Sequence, residues 1–470
     1  MRLTRLAAAT LGLAVLASAG TASAQEQPWL KDRRYREGIG YRVGDLEFHP
    51  GVAGEFGYDS NFFLRGSKDS APVVDVLRLR ITPSVSLSTL SPQRREADGD
   101  QAARPKLNFR AGVAGIYNEF IATKSQYRDD TTKFRNLGAL ANFNLHILPE
   151  RPFGAAFFGD LVRTIQPSNM SDTSQAYTRI NTTLGGELIW APGGGLFNWR
   201  FGGRYDSTFF EADAFKGLNN NIATINTRGR WRFLPRTALM FDASQGFARY
   251  GSRTSSQGYL LDSDPLRARI GLSGLITQRL GLLGMFGWGA SFSHTGSGNI
   301  PAQDYDGPIG QLQLTFYPTP APGLADAQQQ TSLTLSQISL GYTRDFQTSY
   351  FGSFYSRDRG NASMSYFFAG RVLVVLDAGI SRVHFPDLYY AIDPTTGTSP
   401  GVRQTAFNEV RVDASLFTEY RLTNSLGLNA TLAYDQNASK QIRTNPSDPS
   451  ATDDLSWKRF QGFVGFRWFM

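Results

Sequence analysis

The chain has 470 residues, a formal net charge of +8 and no cysteine. The lack of cysteine excludes a disulfide framework and a thiolate metal site. Mean hydropathy is −0.29, and no apolar run approaches the roughly 20 residues that a membrane-spanning helix needs, which excludes a helical membrane protein. A β-barrel is compatible with these values, because its strands alternate apolar and polar residues.

The first residues have the pattern of a targeting segment. Arg2 and Arg5 precede an apolar run over residues 6–17, and small residues follow it up to Ala24. This order predicts a secretory signal peptide over residues 1–24, cleaved after Ala24. The apolar run is too short for a transmembrane anchor. Residues 25–45 are polar and predict a short periplasmic segment before the first strand.

A hairpin pattern repeats from residue 46 onward, and its clearest copy runs from Phe197 to Phe233. The apolar residues of that copy occupy odd positions, and they are Phe197, Trp199, Phe201, Tyr205, Phe209, Ile225, Trp231 and Phe233. The even positions carry mainly polar residues, among them Arg200, Arg204, Arg228, Arg230 and Arg232. Alternate side chains of a strand point to opposite faces, so each arm has one apolar face and one charged face. We interpret the first as facing lipid and the second as lining a water-filled lumen.

Eighteen such alternating runs occur in the chain. They are Phe48–Ser60, Val74–Thr89, Leu107–Phe120, Phe134–Leu148, Phe153–Ile165, Tyr177–Ala191, Phe197–Phe209, Ile222–Phe233, Thr237–Arg249, Leu266–Ile276, Arg279–Ser293, Gly307–Tyr317, Thr331–Arg344, Phe354–Phe368, Val372–Phe385, Phe407–Leu422, Ser425–Asp435 and Trp457–Met470. The repetition predicts an all-β fold over residues 46–470, a transmembrane antiparallel β-barrel of about 18 strands with 16 as the alternative. An even count places both chain ends on the periplasmic side. No helix is predicted.

The links between the runs alternate in length. Links after even-numbered runs are mostly short, as at Ala369–Arg371, and links after odd-numbered runs are long and polar, as at Glu211–Asn221 and Pro386–Ala406. Short turns on one rim and long loops on the other are typical of outer-membrane barrels. Two inner links, Ser91–Pro105 and Pro318–Gln330, depart from this rule. The pattern predicts the outer membrane of a Gram-negative bacterium as the location, with membrane lipid and lipopolysaccharide as neighbours.

The last run ends in alternating aromatic residues. Phe466, Trp468 and Met470 are expected to face lipid, with Arg467 inside. An aromatic C-terminal strand of this kind resembles the signal that the barrel-assembly machinery recognises, although the usual final residue is Phe. We therefore expect the barrel-assembly machinery to be a partner.

Arginines dominate the positions predicted to face the lumen. Rings of arginine select anions, whereas arginines paired with carboxylates hold the shape of a wide barrel. We expect pairing at most positions, with an arginine-rich sector between Arg200 and Arg269 left to bias passage. The candidates for the solute path are Arg200, Arg204, Arg228, Arg230, Arg232, Arg267, Arg269, Arg359 and Arg411.

The sequence predicts neither an enzyme nor a cofactor or metal site. It contains no P-loop, no H-E-x-x-H and no G-x-S-x-G motif. His294 and His384 lie near predicted outer strand ends, and Ser291 and Ser293 are close to His294 in the sequence. A nucleophile and its base need a hydrogen bond, and we interpret these histidines as interface residues. No lysine or arginine cluster of a nucleic-acid motif occurs, so no nucleic-acid partner is expected.

Two short segments resemble a known family. Residues 58–64, Tyr-Asp-Ser-Asn-Phe-Phe-Leu, and residues 341–346, Gly-Tyr-Thr-Arg-Asp-Phe, followed by Ser353–Val383, are similar to the outer-membrane β-barrel porins associated with exopolysaccharide export. That family includes the barrel domain of the poly-N-acetylglucosamine export porin and myxobacterial polysaccharide-secretion barrels. The resemblance implies a barrel of 16 to 18 strands that passes a sugar polymer. The helical-repeat periplasmic domain of the poly-N-acetylglucosamine exporter is lacking, which implies a separate periplasmic polysaccharide export protein as partner.

The main functional prediction is therefore a pore that translocates a secreted exopolysaccharide across the outer membrane. The first alternative is a general diffusion porin for small, possibly anionic solutes, in which the loop Pro386–Ala406 with Tyr389 and Tyr390 folds inward. The second alternative is a surface or adhesion barrel without transport, which would use the long outer loops.

Overall fold

The computed structural model describes most of the chain from Gly40 to Met470. The described residues are 40–69, 71–90, 106–149, 151–164, 178–192, 196–253, 260–294, 300–301, 303–318, 336–349, 354–368, 370–390, 401–445 and 448–470. The predicted signal peptide, most of the predicted periplasmic segment, the link Ser91–Pro105 and most of the link Pro318–Gln330 lie outside these ranges.

The described residues form 23 strands. They are β1 (Tyr41–Val43), β2 (Leu46–Asp59), β3 (Val76–Thr89), β4 (Leu107–Ala122), β5 (Asn136–Ile147), β6 (Phe153–Thr164), β7 (Arg179–Trp190), β8 (Phe197–Phe210), β9 (Asn220–Leu234), β10 (Thr237–Arg249), β11 (Ser263–Leu275), β12 (Leu280–Ser293), β13 (Tyr305–Phe316), β14 (Gln337–Thr348), β15 (Phe354–Phe368), β16 (Val372–Phe385), β17 (Leu388–Tyr390), β18 (Gly401–Gln404), β19 (Phe407–Arg421), β20 (Leu426–Ala438), β21 (Ile442–Asn445), β22 (Asp448–Asp454) and β23 (Trp457–Phe469).

Eighteen of these strands form a closed antiparallel barrel, as predicted. They are β2 to β16, β19, β20 and β23, and each pairs with the next along the chain. Every predicted run corresponds to one of them, with differences of a few residues at the ends. The ring closes where β2 pairs with β23, from Gly51 opposite Phe469 to Asp59 opposite Gln461. The short β1 is a hairpin extension of β2, while β17–β18 and β21–β22 are hairpins within outer links.

The outer surface of the wall is apolar. Alternate residues of each strand are exposed there, including Phe153 at 69%, Phe286 at 67% and Leu188 at 66%. A soluble sheet would bury such a face, whereas lipid solvates it. The strands have 12 to 16 residues, enough for the roughly 9–11 residues that a tilted strand needs to cross a bilayer. The molecule is therefore a membrane-spanning barrel, with short turns on one rim and long links on the other.

The closing seam is held at its outer end by the segment Asp59–Asn61. Arg459 donates from Nε to Asp59 Oδ1 at 2.9 Å, and Gln461 donates from Nε2 to Asp59 Oδ2 at 2.8 Å. The backbone N–H of Ser60 donates to the carbonyl of Phe460 at 2.9 Å, and the Asn61 amide donates to the carbonyl of Lys458 at 3.0 Å. Charged and polar side chains thus join the first and last strands where their ladder ends.

An apolar cluster covers this seam contact. Phe62 and Phe63 are 2% and 1% exposed and pack with Val76, Phe120 and Phe134 from neighbouring elements. The segment Tyr58–Leu64, which carries the family resemblance, therefore closes and covers the seam in this barrel. Its sequence pattern has a structural explanation that does not involve a sugar chain.

Short helices are present in two outer links, where none was predicted. Helix α1 spans Arg128–Thr132, preceded by a 3₁₀ turn over Ser125–Tyr127, and a second 3₁₀ turn spans Asp213–Leu218. Segments this short do not complete the two turns that would give a helical hydrophobic period. Sequence periodicity therefore gave no signal for them.

We expect Asp59→Ala to lower the free energy of unfolding by about 3–5 kcal/mol, because it leaves the buried Arg459 without its acceptor. Urea unfolding of the detergent-solubilised barrel, followed by tryptophan fluorescence, measures this loss. The exposed Asp213, which pairs with Lys216 on the surface, provides the control Asp213→Ala, for which no measurable change is expected. Equal urea midpoints for the two variants would show that the seam contact contributes nothing.

Candidate functional site: the barrel lumen

The strand register places eight of the nine candidate arginines on the lumen face, and Arg232 follows by alternation, because Trp231 and Phe233 on either side of it are exposed on the outer surface. In an antiparallel pair, residues directly opposite each other share a face. Arg200 is opposite Arg228, Arg228 is opposite Asp242, and Asp242 is opposite Arg269. The same sequence of partners joins Arg359 to Arg411 through Ser381. Their part in a solute path stays a prediction, and the contacts described next divide them into groups.

The lumen is filled with side chains beside the closing seam. Two buried ion pairs lie there: Arg80 Nε is 3.1 Å from Glu55 Oε2, and Arg467 Nη2 is 2.7 Å from Glu419 Oε2. We call this packed region the seam lobe, and it comprises Glu55, Arg78, Arg80, Thr82, Ser86, Phe417, Glu419, Asn429, Phe463 and Arg467, all buried. Arginines over aromatic rings tighten it, as with Arg80 at 4.8 Å from the Phe463 centroid. These side chains occupy space that an open 18-stranded barrel would leave to water.

An apolar contact joins two opposing parts of the wall at the edge of the seam lobe. Ala53 on β2 and Ala114 on β4 are buried in one cluster with Leu373 on β16 and Phe417 on β19. Ile116, Leu140, Phe367 and Val375 pack against the same cluster. Because β5 and β16 are separated by six strands along the seam side of the ring, such contacts require the wall to fold inward. The lumen is therefore pinched, and its open part lies on the side away from the seam.

Sequence reasoning missed this pinch. The sequence does contain a sign of this contact: apolar residues such as Leu373 and Phe417 occupy positions that strand alternation assigns to the lumen face. In an open, water-filled lumen such residues would be exposed at a free-energy cost. Parity alone assigns a residue to a face and carries no information on whether two distant strands touch.

Most arginines of the predicted arginine-rich sector are paired with carboxylates. Glu187 accepts from Arg228 at 2.8 Å and from Arg200 at 3.5 Å. Further ion pairs join three other candidates to acidic partners: Arg204 to Asp206 at 2.7 Å, Arg269 to Asp242 at 3.0 Å and Arg267 to Asp345 at 3.1 Å. Pairing fixes the orientation of these side chains and cancels much of their charge.

Arg230 and Arg232 differ from the rest of the sector. Neither forms an ion pair with any residue that the structure describes. Both lie on the lumen face near the inner end of β9, and Arg230 is opposite the neutral residues Asn198 and Met240. Together with the two arginines that share Glu187, they leave an excess of positive charge on this part of the wall.

The opposite wall carries carboxylates. Asp413 on β19 is directly opposite Asp435 on β20, and β20 lies nine strands from β9 in either direction round the ring. Arg359 binds Asp413, with Nη2 at 2.7 Å from Oδ2, and Arg411 binds Glu409 at 3.0 Å. Asp413 and Glu409 are thus matched by arginines, whereas Arg230 and Arg232 on β9 have no acidic partner among the described residues, so fixed positive charge is concentrated at β9.

Three outer links meet above the lumen. Leu261 and Ile300, both 2% exposed, pack with Tyr389, and the Gln303 amide donates to the carbonyl of Asp387 at 2.8 Å. These residues belong to the links that follow β10, β12 and β16, and four wall strands separate β11 from β16. The described parts of the loop Pro386–Ala406 thus reach toward the opposite links, and residues 391–400 lie outside the described ranges.

The polar groups considered for catalysis are engaged elsewhere. His294 Nε2 is 3.0 Å from Asp264 Oδ2, Ser293 Oγ donates to the carbonyl of Gln303 at 2.8 Å, and His384 Nδ1 is 3.2 Å from Asn408 Oδ1. Neither His294 nor His384 is hydrogen-bonded to Ser291 or Ser293. Within the described ranges, no three His, Asp or Glu side chains are grouped to hold a metal ion, and no helix is long and apolar enough to cross a bilayer.

Comparisons with known proteins add little to this geometry. No protein-family model matches the chain, and no curated protein matches it. Among solved structures, OpdQ of Pseudomonas aeruginosa is 11% identical with a TM-score of 0.41, over 91% of this chain and 98% of that one. A BenF-like porin from Pseudomonas fluorescens Pf-5 is 10% identical with a TM-score of 0.43, over 91% and 100%. The FrpB iron transporter from Neisseria meningitidis is 8% identical with a TM-score of 0.44, over 90% and 81%. Similarity at these levels carries no argument about family or solutes, and the barrel rests on its own strand pairing.

We expect Phe417→Ala to lower the free energy of unfolding by about 3–5 kcal/mol, because truncation leaves a cavity in the cross-lumen cluster. Urea unfolding in detergent measures this change. Phe286→Ala is the control, since Phe286 lies on the outer surface and is 67% exposed, and its truncation removes fewer protein contacts. A loss no larger than that of the control would indicate that the two walls do not pack in solution.

Proposed function

We propose that this protein is an outer-membrane pore through which small solutes diffuse, with a preference for anions. The observation that carries the proposal is the pair Arg230 and Arg232, which face the lumen without acidic partners among the described residues. Fixed positive charge beside a narrowed aqueous path attracts anions and repels cations. The outward apolar surface supplies the membrane-spanning part of the proposal.

The open side of the lumen is where such a path would run. The side chains of Arg204 and Arg228 there are 41% and 35% exposed. In the seam lobe the side chains of Arg467 and Glu419 are 4% and 0% exposed. A solute therefore meets water-accessible arginines on β8 and β9, and it meets packed side chains beside the seam.

The seam lobe also supports one of the functions that the sequence suggested over the others. A sugar polymer needs a continuous wide passage, and a pinched lumen with a filled lobe favours small solutes instead. The diffusion-porin alternative thus fits the geometry better than exopolysaccharide translocation, which remains a second candidate together with its periplasmic partner. A surface or adhesion role gains no specific support from the described residues.

We expect Arg230→Gln/Arg232→Gln to lower the ratio of chloride to potassium permeability by about twofold or more, because it removes the unpaired lumen charge. The reversal potential in a potassium chloride gradient across a planar bilayer measures this ratio. The matched control is Arg135→Gln/Arg163→Gln, which removes two arginines that bind Glu119 and Glu211 outside the lumen. An unchanged reversal potential in the lumen variant, with conductance retained, would overturn the anion preference.

Selectivity of the unmodified pore should also weaken with salt. The Debye length falls from about 10 Å at 0.1 M to about 3 Å at 1 M, so fixed charges at the wall are screened from ions on the pore axis. Permeability ratios measured with a constant concentration ratio at low and high mean salt test this expectation. A ratio that does not depend on salt would indicate selection by size or by direct contact instead of by the long-range field.

A further inference from the structure

The two rims of the barrel differ on the surface that faces away from the lumen. Aromatic rings cluster at the inner rim, where Trp190 contacts both Phe153 and Trp199. At the outer rim four sets of ion pairs face outward, and they are Arg135–Glu119, Arg163–Glu211, Arg249–Asp264 and Arg344–Asp358. Hydrogen bonds from Arg163 hold the pKa of the Glu211 carboxyl below its ordinary value, which keeps that pair charged. The outer rim thus adds outward-facing charge to the aromatic residues that are usual at the membrane interface.

One of the four sets has an excess of positive charge. Asp358 on β15 accepts from Arg344 Nη1 at 3.2 Å and from the Tyr342 hydroxyl at 2.6 Å. Arg382 on β16 is directly opposite Asp358 in the strand register, and it forms no ion pair within the described part of the chain. His384 follows on the same outward face and contacts Asn408. Two arginines on β14 and β16 therefore flank a single carboxylate on β15.

Beside this cluster the backbone ladder between β13 and β14 is incomplete, and we call this place the joint. β13 pairs with β14 only from Gly310, opposite Arg344, to Phe316. Above that point the space between the two strands is filled by Tyr305, Ile309 and Phe346, all at most 8% exposed, with Phe354 packed against them. Arg344 thus lies at the upper end of the joint, and the Tyr305 hydroxyl interacts with its guanidinium. Arg344, Asp358 and Arg382 therefore lie beside a part of the wall where side chains fill the space between β13 and β14 instead of a backbone ladder.

We propose that Arg344 and Arg382 bind the phosphate group of a glycolipid of the outer leaflet. Arg344 is four residues from the end of β14 and Arg382 is three residues from the end of β16, which places both roughly 7–10 Å below the strand ends. That depth corresponds to lipid headgroups. Guanidinium groups bind phosphate through two parallel hydrogen bonds. Asp358 holds the Arg344 guanidinium, and the strand register puts Arg382 on the same outward face.

The test is lipid retention by the purified full barrel, measured by native mass spectrometry from detergent. The probes are a bisphosphorylated lipid A and the same lipid with its phosphates removed. We expect the phosphorylated lipid to bind the unmodified barrel, and Arg344→Gln/Arg382→Gln to weaken that binding by about tenfold. Arg344→Lys/Arg382→Lys should bind with intermediate strength, because it keeps the charge and loses the two parallel hydrogen bonds. Arg279→Gln/Arg371→Gln, which removes two arginines from the inner turns, is the matched control and should bind like the unmodified barrel.

Three results would overturn the site. They are equal binding of phosphorylated and dephosphorylated lipid, equal binding by the glutamine variant and the inner-turn control, and displacement of bound lipid by millimolar inorganic phosphate. A urea midpoint in detergent equal to that of the unmodified barrel shows that the glutamine variant is folded. Because conductance and ion selectivity report on the lumen, failure of the lipid site and failure of the proposed pore function are separate outcomes.

Discussion

A wall that stands in lipid must satisfy every backbone N–H and C=O group from within the protein, because the hydrocarbon offers no partner. In this barrel that requirement is met by eighteen antiparallel ladders closed into a ring between β2 and β23. The rest of the structure depends on the closure. It determines the alternation of lipid-facing and lumen-facing residues, and it explains why buried polar side chains such as Asp59 and Arg459 are concentrated where the first strand meets the last.

The interior shows how much charge can be accommodated when most of it is paired. Many arginines on the lumen face bind carboxylates of the same or a nearby strand, as Arg228 does with Glu187 and Arg269 with Asp242. Such pairs set a rigid lining more than they add stability. What distinguishes one part of the lumen from another is the balance of charge that remains after pairing. Near the inner end of β9 that balance is positive, because Arg230 and Arg232 have no acidic partner among the described residues, whereas on β19 the carboxylates Glu409, Asp413 and Glu419 are matched by arginines.

The sequence was sufficient to predict the strands of the wall, and it was insufficient to predict the side-chain contacts inside the lumen. Period-two alternation, turn residues and link lengths located all eighteen strands, because these signals are local. The assignment of Arg200 or Arg411 to the lumen face followed from parity for the same reason. The contact between Phe417 and the opposite wall joins strands that are distant in sequence, and the sharing of Glu187 by two arginines and the partial joint of β13 with β14 are set by how side chains pack between neighbouring strands. All three depend on the arrangement of several strands, which no single strand encodes.

The seam also has a kinetic consequence. Arg459 and Asp59 are 400 positions apart in the chain, so the contact that completes the ring is among the most non-local in the molecule. Contacts of this kind form late, because the entropy of closing a long loop must be overcome before they contribute. Until β23 pairs with β2, a partly assembled sheet therefore has two open edges. During that time the carboxylate of Asp59 is hydrated, because its partner Arg459 lies on the last strand.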